Sequence, residues 1–504
     1  MPVLIKLLHL SERIGLIAMA VFSLYRVWLV CLWWRVRHHR PVLTRMFDQL
    51  PIVTVQLPIF NEPYVVGRLL DAVIRLDYPK DRLEIQVLDD STDDTPLVVS
   101  DRVADLRAHG VWIHHVRRTH RSGFKAGALA EGVAASHGEF IAVFDSDFVP
   151  QPDFLQRTIH QFTDPDIGMV QTRWGHLNRT DSLLTRAQAL MLDGHFLIEQ
   201  VARSRSGRFF NFNGSAGIWR AQTILDAGGW QSDTLSEDLD LSYRAQLAGW
   251  RFCYLEDVIA PAELPIEMSS LKIQQHRWTK GSIQAGFKLL PAIWRSRQPW
   301  RVKLEACFHL CNWFHYPLGL LCAVLMLPTL MLTHTSLQPH PGSWESFVGM
   351  LLVITTALFY GVASWQQQER SRWPLLIELP ALMSVSMGLA LNNTRGVWEA
   401  LRRAASPFHR TPKYNGHRRG TQDPDYRRQA SDAVWWWGEV ALGLYTLVSI
   451  SYVLSRHLYA VVPFLLPLAA GFLYAGCTSL APALHASVEL LVAWWKPEKV
   501  YELG

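Results

Sequence analysis

Four groups of residues in this chain have the types and spacing to do chemistry. Carboxylates stand directly after three short apolar runs: Asn61-Glu62 after Ile52–Leu57, Asp89-Asp90 after Glu84–Leu88, and Asp145-Ser-Asp147 after Phe140–Phe144. Clustered carboxylates repel one another unless a cation lies among them, and hard oxygen ligands of this kind suit Mg²⁺ or Mn²⁺ carrying substrate phosphates. Further along, Ser236-Glu237-Asp238-Leu-Asp240 opens a helical segment. Its charges favour a helix N-terminus, and one of its carboxylates can take a proton from a hydroxyl; Asp238 is the choice for that base. Gln274 and Arg277 share a helix face at i,i+3, with Trp278 beside them. The guanidinium suits a diphosphate and the indole suits stacking on a sugar ring. Last, Thr411 and Lys413 offer hydrogen bonds to phosphate, and Pro412 between them stiffens the turn.

The elements that position these groups follow from periodicity. The short apolar runs Ile52–Leu57, Glu84–Leu88, Val111–Val116 and Phe140–Phe144 alternate with helical patterns near Tyr64–Arg75, Pro96–Arg107 and Ala126–Ser136. Strands separated by crossover helices predict a parallel sheet with right-handed connections, and ligands bind beyond the carboxyl ends of such strands. No Gly-x-Gly-x-x-Gly follows the first strand and no Walker sequence occurs, which argues against a dinucleotide dehydrogenase and a P-loop ATPase. What remains is a metal-held diphosphate on a sugar nucleotide. Asp89 or Asp90 accepts hydrogen bonds from base or ribose, Asp147 with or without Asp145 holds the metal, and the metal offsets charge on the departing nucleotide.

At 504 residues the chain exceeds one compact core. Five stretches reach the roughly 20 apolar residues of a membrane span: about Ile14–Trp34, Ala306–Thr333, Phe347–Trp365, Trp436–Ser455 and Leu458–Leu480. The first contains Arg26, which at a helix centre costs about 2.5–3.5 kcal/mol and so implies a watery or protein-lined neighbour. It is read as a retained anchor. Arg35, Arg37, Arg40 and Arg45 follow it, and the segment Arg370–Arg428 is dense in Arg, which places the central domain and that segment in the cytoplasm. The apolar stretch Pro374–Thr394, interrupted by Glu378, is read as an interfacial helix. The net charge of +5 is mostly this topology, and without a basic face interleaved with aromatics a nucleic-acid partner is not expected. Six cysteines without CxxC spacing argue against zinc and against a disulfide framework.

At these residues the chain resembles the processive family-2 glycosyltransferases of the cellulose-synthase superfamily, and most of all the cellulose-synthase-like branch of glucomannan 4-β-mannosyltransferases and glucan synthases. The likeness runs through Thr54-Val-Gln-Leu-Pro, Glu84–Thr95, Gly123-Phe-Lys-Ala-Gly-Ala128, Val170–Gly175, Met191–His195, Phe210-Asn-Phe-Asn-Gly214 and Gln274-Gln-His-Arg-Trp278. It implies a GT-A-like α/β nucleotide-sugar-binding cytosolic domain embedded in an α-helical multispanning membrane protein. It further implies that Asp90 and Asp147 bind nucleotide and metal, that Asp238 is the base, that Gln274, Arg277 and Trp278 border the acceptor beside Glu237, and that Phe408–Lys413 is a gating loop closing over the donor. Ser236 replaces the usual Thr, and Arg410 stands where cellulose synthases carry Val.

The expected organisation is an anchor (1–50), a glycosyltransferase domain (51–300), two spans (301–366), an interfacial helix with the gating loop (367–432), and two spans with a tail (433–504). The expected activity is an inverting, processive synthesis of β-1,4-mannan or glucomannan from a nucleotide sugar, GDP-mannose or UDP-glucose, using Mg²⁺ or Mn²⁺ and exporting the growing polysaccharide through the membrane. A β-glucan synthase using UDP-glucose and a glycolipid glycosyltransferase are the alternatives. A transporter with a regulatory domain is a third class, but it predicts acidic residues or broken repeats in the spans, and the later four spans are nearly free of charge. The excess of Arg over Lys favours a bacterial inner membrane over a Golgi membrane.

Overall fold

The computed structural model describes residues 2–333, 344–367, 373–404, 410, 411, 413 and 433–495. Within the central domain the apolar runs become strands β1 (Val53–Ile59), β2 (Leu83–Asp89), β3 (Ile113–Arg117) and β4 (Phe140–Val143), followed by β5 (Ile167–His176), β6 (Gly217–Arg220) and β7 (Arg251–Ala262). They form one sheet in the order β3-β2-β1-β4-β6-β5-β7. The β3-β2-β1-β4 half is parallel, as the crossovers require. The sheet as a whole is mixed, because β6, beyond the strands read from the sequence, runs antiparallel to both β4 and β5. The chain reaches β6 from β5 through the helices Leu183–Asp193 and Gln200–Arg205, and β6 enters the sheet opposite in direction to both its neighbours.

Alternation along the strands divides the core. Phe140 and Ala142 of β4 point to one face, packing with Val53, Val55 and Leu57 of β1 and with the outer helices. Ile141 and Val143 point to the other, where the cluster continues into membrane helices through Leu29, Trp33, Phe359 and Ala363. The domain therefore shares a hydrophobic core with the spans. Beneath this, Thr54 and Gln56 of β1 turn polar groups to the same inner face, satisfied by Glu84 (2.6 Å) and Gln86 (3.1 Å) of β2.

Five helices are long and apolar enough to cross a membrane: Lys6–Val36, Trp300–Leu332, Phe347–Gln366, Val434–Ser455 and Val462–Ala481. The stretch read as one interfacial helix is a pair, Leu375–Gly388 and Ala390–Leu401, bent by 44°. Gly388 lets it approach the last span closely, since a Cβ there would lie 2.6 Å from the Gly471 carbonyl oxygen. In the first helix Ile14, Ile17, Val21, Leu24 and Trp28 form an outward stripe, each about half exposed, and the i+3/i+4 spacing suits a lipid-facing side. Arg26 lies on the opposite side, on a cavity wall with Met19 and Phe22. That placement removes the difficulty a charged residue raised in this span.

Ion pairs fasten the domain to the bundle. Arg203, itself buried, bonds Glu199 (3.1 Å), Glu305 (3.1 Å) and the Tyr25 hydroxyl (3.0 Å), and Tyr25 donates to Glu305 at 2.6 Å. Burial alone would raise the Glu199 pKa, but Arg203 and His195 hold it well below the usual carboxylate range. A second knot joins Lys272 to Glu439, to Ser479 Oγ (2.8 Å) and to the Ala475 carbonyl (3.1 Å). A third brings His276 and Lys280 onto Glu399 at 3.2 and 3.1 Å.

Replacing Arg203 with Met leaves Glu199 and Glu305 buried without their shared cation. Breaking a buried pair from one side costs about 3–5 kcal/mol, so Arg203→Met should lower the unfolding temperature in detergent micelles. Arg203→Lys, which cannot fork between three partners, should recover only part of the loss. An Arg203→Met protein that melts with the wild type would remove this seam from the account of stability.

Candidate active site

Because β2, β1 and β4 are neighbours, their carboxyl ends bring Asp90, Glu62 and Asp147 to one place, all lining a single cavity of about 1840 Å³. Asn61, which adopts a left-handed conformation at the end of β1 (φ 54°), is fixed by Ser91 and Thr92 of the neighbouring loop and turns the chain so that Glu62 faces inward. Asp90 is held in a fork by Arg118, with Nε at 2.8 Å. Arg121 lies over the Phe60 ring at 3.3 Å from its centroid, making a flat cationic surface beside Asp90. Asp89, read as the alternative to Asp90, does not line the cavity. It is buried, accepts from the Ser91 amide (2.9 Å) and meets His115 Nε2 at 2.9 Å. Burial would raise its pKa, yet the His115 and Ser91 hydrogen bonds hold it below the ordinary value. Asp89 is a structural carboxylate.

The two aspartates of the turn after β4 each meet an ammonium. Asp145 Oδ1 lies 2.6 Å from Lys125 Nζ, and Asp147 Oδ1 pairs with Lys413 while its Oδ2 accepts from the Glu263 amide (3.2 Å). Beside them Arg410 reaches Glu62 at 2.9 Å. Burial pushes the Glu62 pKa up to about 7 against the pull of Lys413 and Arg410. Thus Lys413 and Thr411 stand over the carboxylates, and Thr411 Oγ1 is buried with no hydrogen-bond partner among the described residues. Phe408 and Pro412 of the same loop lie outside the described residues.

On the facing wall, Gly214 separates Lys125 from Asp238. It has φ +80°, and a Cβ there would sit 2.9 Å from Asp238 Oδ2, so both the backbone conformation and the close approach call for glycine. The Gly214 carbonyl accepts from Lys125 at 2.8 Å. Asp238 opens the helix Glu237–Leu247. Burial, then the neighbouring Glu237, raises its pKa to about 7, with Lys125 and the Leu239 amide opposing. Asp240, the other carboxylate in this turn, is fully buried and locked by Arg244 (2.7 Å) and Lys288 (2.9 Å), which leaves Asp238 and Glu237 on the cavity. Gln274, Arg277 and Trp278, from the helix Met268–Arg295, complete this wall.

Among the described residues no group of three or more His, Cys, Asp or Glu side chains is disposed to hold a metal by itself. The donor set nonetheless fits a hard divalent cation that arrives with a diphosphate. Two carboxylates, Asp145 and Asp147, come from one turn, and the ammonium groups of Lys125 and Lys413 stand on them where a divalent cation would otherwise offset their charge. Two residues that the sequence reading left out also belong here. Lys125 ties the donor-side Asp145 to the Gly214 turn, and Arg410 neutralises Glu62. The signal for Lys125 was present, a lone basic residue between Gly123 and Gly127 after a strand; for Arg410 it was the departure from Val.

The family model described as "Glycosyltransferase like family 2" matches residues 51–281. These residues are a family-2 glycosyltransferase domain. Over 315 residues the chain is 40% identical to glucomannan 4-beta-mannosyltransferase 2 of Arabidopsis thaliana, covering 59% of each protein. Over 318 residues it is 39% identical to glucomannan 4-beta-mannosyltransferase 1 of Oryza sativa subsp. japonica, covering 59% of this chain and 61% of that relative. The matches thus span about three-fifths of these relatives' length. A mannosyltransferase from Pyrobaculum calidifontis, solved with GDP-Man and Mn²⁺, superposes on 78% of this chain and all of its own with a TM-score of 0.52 at 20% identity. The glycosyltransferase domain therefore has a GT-A-like α/β fold with a mixed sheet.

The raised pKa of Asp238 carries two consequences of known sign. As the candidate base, Asp238 would have to be ionised to act, so kcat/KM is expected to fall as pH drops through about 7, and Asp238→Asn to abolish that limb while losing about 10²–10⁴-fold in rate. Between pH 4 and 7 the folded chain also binds more protons at Asp238 than the unfolded chain does, so this carboxyl contributes stability that is lost as pH rises. Asp238→Asn should therefore melt higher than wild type at pH 8 and converge with it near pH 4. Residual synthesis above a tenth of wild type would move the base to Glu237.

Proposed function

We propose that the protein is a membrane-embedded, inverting and processive β-mannosyltransferase that extends β-1,4-mannan or glucomannan from GDP-mannose and passes the product through its own spans. One observation carries this reading. The cavity lined by Asp147 and Asp238 continues past Trp278, Trp313 and Tyr316 to Met350, Tyr459 and Phe464 at the far ends of the spans. A single-transfer enzyme has no need of such a passage, whereas aromatic side chains along it suit a moving sugar chain. The similarity to glucomannan mannosyltransferases and the GDP-Man bound by the Pyrobaculum structure favour mannose as the sugar.

In this reading the nucleotide lies at Asp90 and the Arg121–Phe60 surface, and the diphosphate lies over Asp145 and Asp147, with Arg277, Gln274, Thr411 and Lys413 closing on it. Asp147, with Asp145, would hold Mg²⁺ or Mn²⁺, which when bound neutralises the departing nucleotide. Asp238 takes the proton of the acceptor hydroxyl as that oxygen attacks the anomeric carbon from the side opposite the diphosphate. The C–O bond to the nucleotide breaks as the new glycosidic bond forms, so an α-linked donor gives a β-linked product. Trp278 and Glu237 orient the acceptor end.

Topology agrees with this arrangement. The bent helix pair begins and ends on the domain's side, because Gln367 bonds Asp193 before it and Arg410 pairs with Glu62 after it. It therefore dips into the interface without crossing. Five crossings then leave the glycosyltransferase domain and the Arg-rich segment on the same, cytoplasmic face.

The deciding experiment incubates membranes with radiolabelled GDP-mannose or UDP-glucose and digests the product with linkage-specific β-mannanase or β-glucanase. Mannanase-sensitive polymer from GDP-mannose is expected; glucanase-sensitive polymer from UDP-glucose would transfer the reading to a glucan synthase. Asp147→Ala should lose Mn²⁺-dependent nucleotide binding, and unchanged titrations with and without Mn²⁺ would reduce Asp147 to a turn residue. The Thr411→Ala/Lys413→Ala double variant should make less polymer and hydrolyse a larger fraction of the donor it consumes, because a closing loop excludes water. Wild-type polymer yield from it would leave the loop as a topological signal only.

A further inference from the structure

A cavity that crosses a membrane and is wide enough for a sugar chain also admits water and ions. Here its domain-side mouth carries the carboxylates Asp145, Asp147, Glu237 and Asp238 interleaved with Lys125, Arg277, Arg410 and Lys413, so the mouth, with its charges offset pairwise, does not by itself turn cations away. Arg26 stands further in. It lies ten residues before the domain-side end of its span, and Thr356, to which its Nη1 donates at 3.2 Å, lies ten residues before the end of the span Phe347–Gln366. At 1.5 Å per residue both are about 15 Å deep, near the middle of the hydrocarbon. Among the acidic side chains along the cavity only Glu12 belongs to a spanning helix, about 21 Å from Arg26 along the same helix. No carboxylate lies within ion-pair distance of Arg26 among the described residues. The guanidinium is thus a fixed positive charge, held by a neutral hydroxyl and walled by Phe22, His315, Tyr316 and Tyr360.

We propose that Arg26 is the electrostatic barrier of the channel, excluding K⁺ and other cations from the membrane-crossing cavity while letting a neutral glycan pass. An intramembrane charge marks a functional site, and a positive group facing a pore is a device for rejecting cations. A neutral polymer carries no charge for the barrier to act on, and its hydroxyls can accept and donate hydrogen bonds as they slide past the guanidinium and Thr356. The inference rests on the reading of the cavity as an export path.

The test uses the full-length protein reconstituted in liposomes with the catalytic domain outward. K⁺ permeability is measured by a lumenal K⁺ dye and, in planar bilayers under a KCl gradient, by the reversal potential. In parallel, polymer made from GDP-mannose is challenged with external mannanase. Wild type and R26K should hold K⁺ back, whereas R26Q should pass K⁺ about tenfold to a hundredfold faster and R26E should shift the reversal potential furthest toward K⁺. T356V, which keeps the charge, should stay tight. If polymer is protected in the lumen but R26Q is no leakier than wild type, the barrier role is overturned and the export reading stands. If polymer remains outside and digestible, the export reading falls and the barrier role falls with it. A wild-type channel already selective for K⁺ over Cl⁻ would overturn the proposal without any variant, even should R26Q fail to accumulate.

Discussion

Carboxylates cannot crowd together at the ends of adjacent strands unless something positive lies among them, and much of this structure answers that one electrostatic requirement. Glu62, Asp90, Asp145 and Asp147 each face a cation: Arg410, Arg118, Lys125 and Lys413. Two of these cations come from a segment more than 260 residues distant in sequence from Asp147. The loop near the membrane is therefore tied to the strand ends by charge, which gives the otherwise separate membrane segment a fixed relation to the catalytic pocket. Burial works against ionisation at two of the site's carboxylates, raising Glu62 and Asp238 to about 7 in spite of the cations beside them.

The sequence made the parallel half of the sheet legible because short apolar runs, crossover helices and terminal carboxylates all point to the same arrangement. Asp90 and Asp89 were not separable on that basis. They are adjacent and chemically identical, and they are told apart only by His115 on the following strand, which meets Asp89 across the sheet. The antiparallel β6 was hidden for a related reason: four residues give no period to read. Lys125 and Arg410 were visible as residues but not as partners, since an ion pair across the fold leaves no local pattern. Arg26 gave the opposite case, where a local anomaly correctly indicated a polar neighbour.

The hydrophobic core does not stop at the domain boundary. β4 sends Ile141 and Val143 into a cluster that holds Leu129, Leu192, Val201 and Leu241 of the domain's own helices together with Leu29, Trp33 and Phe359 of the spans, so the helices on the sheet's inner face are themselves packed against the membrane helices. Folding of the domain and assembly of the bundle then become one cooperative event.

The buried knot of Arg203, Glu199, Glu305 and Tyr25 has a mechanical consequence. With the domain riveted to the first and second spans at its centre, it has no hinge about which to rock. In the synthase proposed above, a glycan lengthening by one sugar at a time could not then be driven by a lever arm. Its advance must come from small parts near the mouth, a swinging indole or a loop of a few residues, working against a rigid frame.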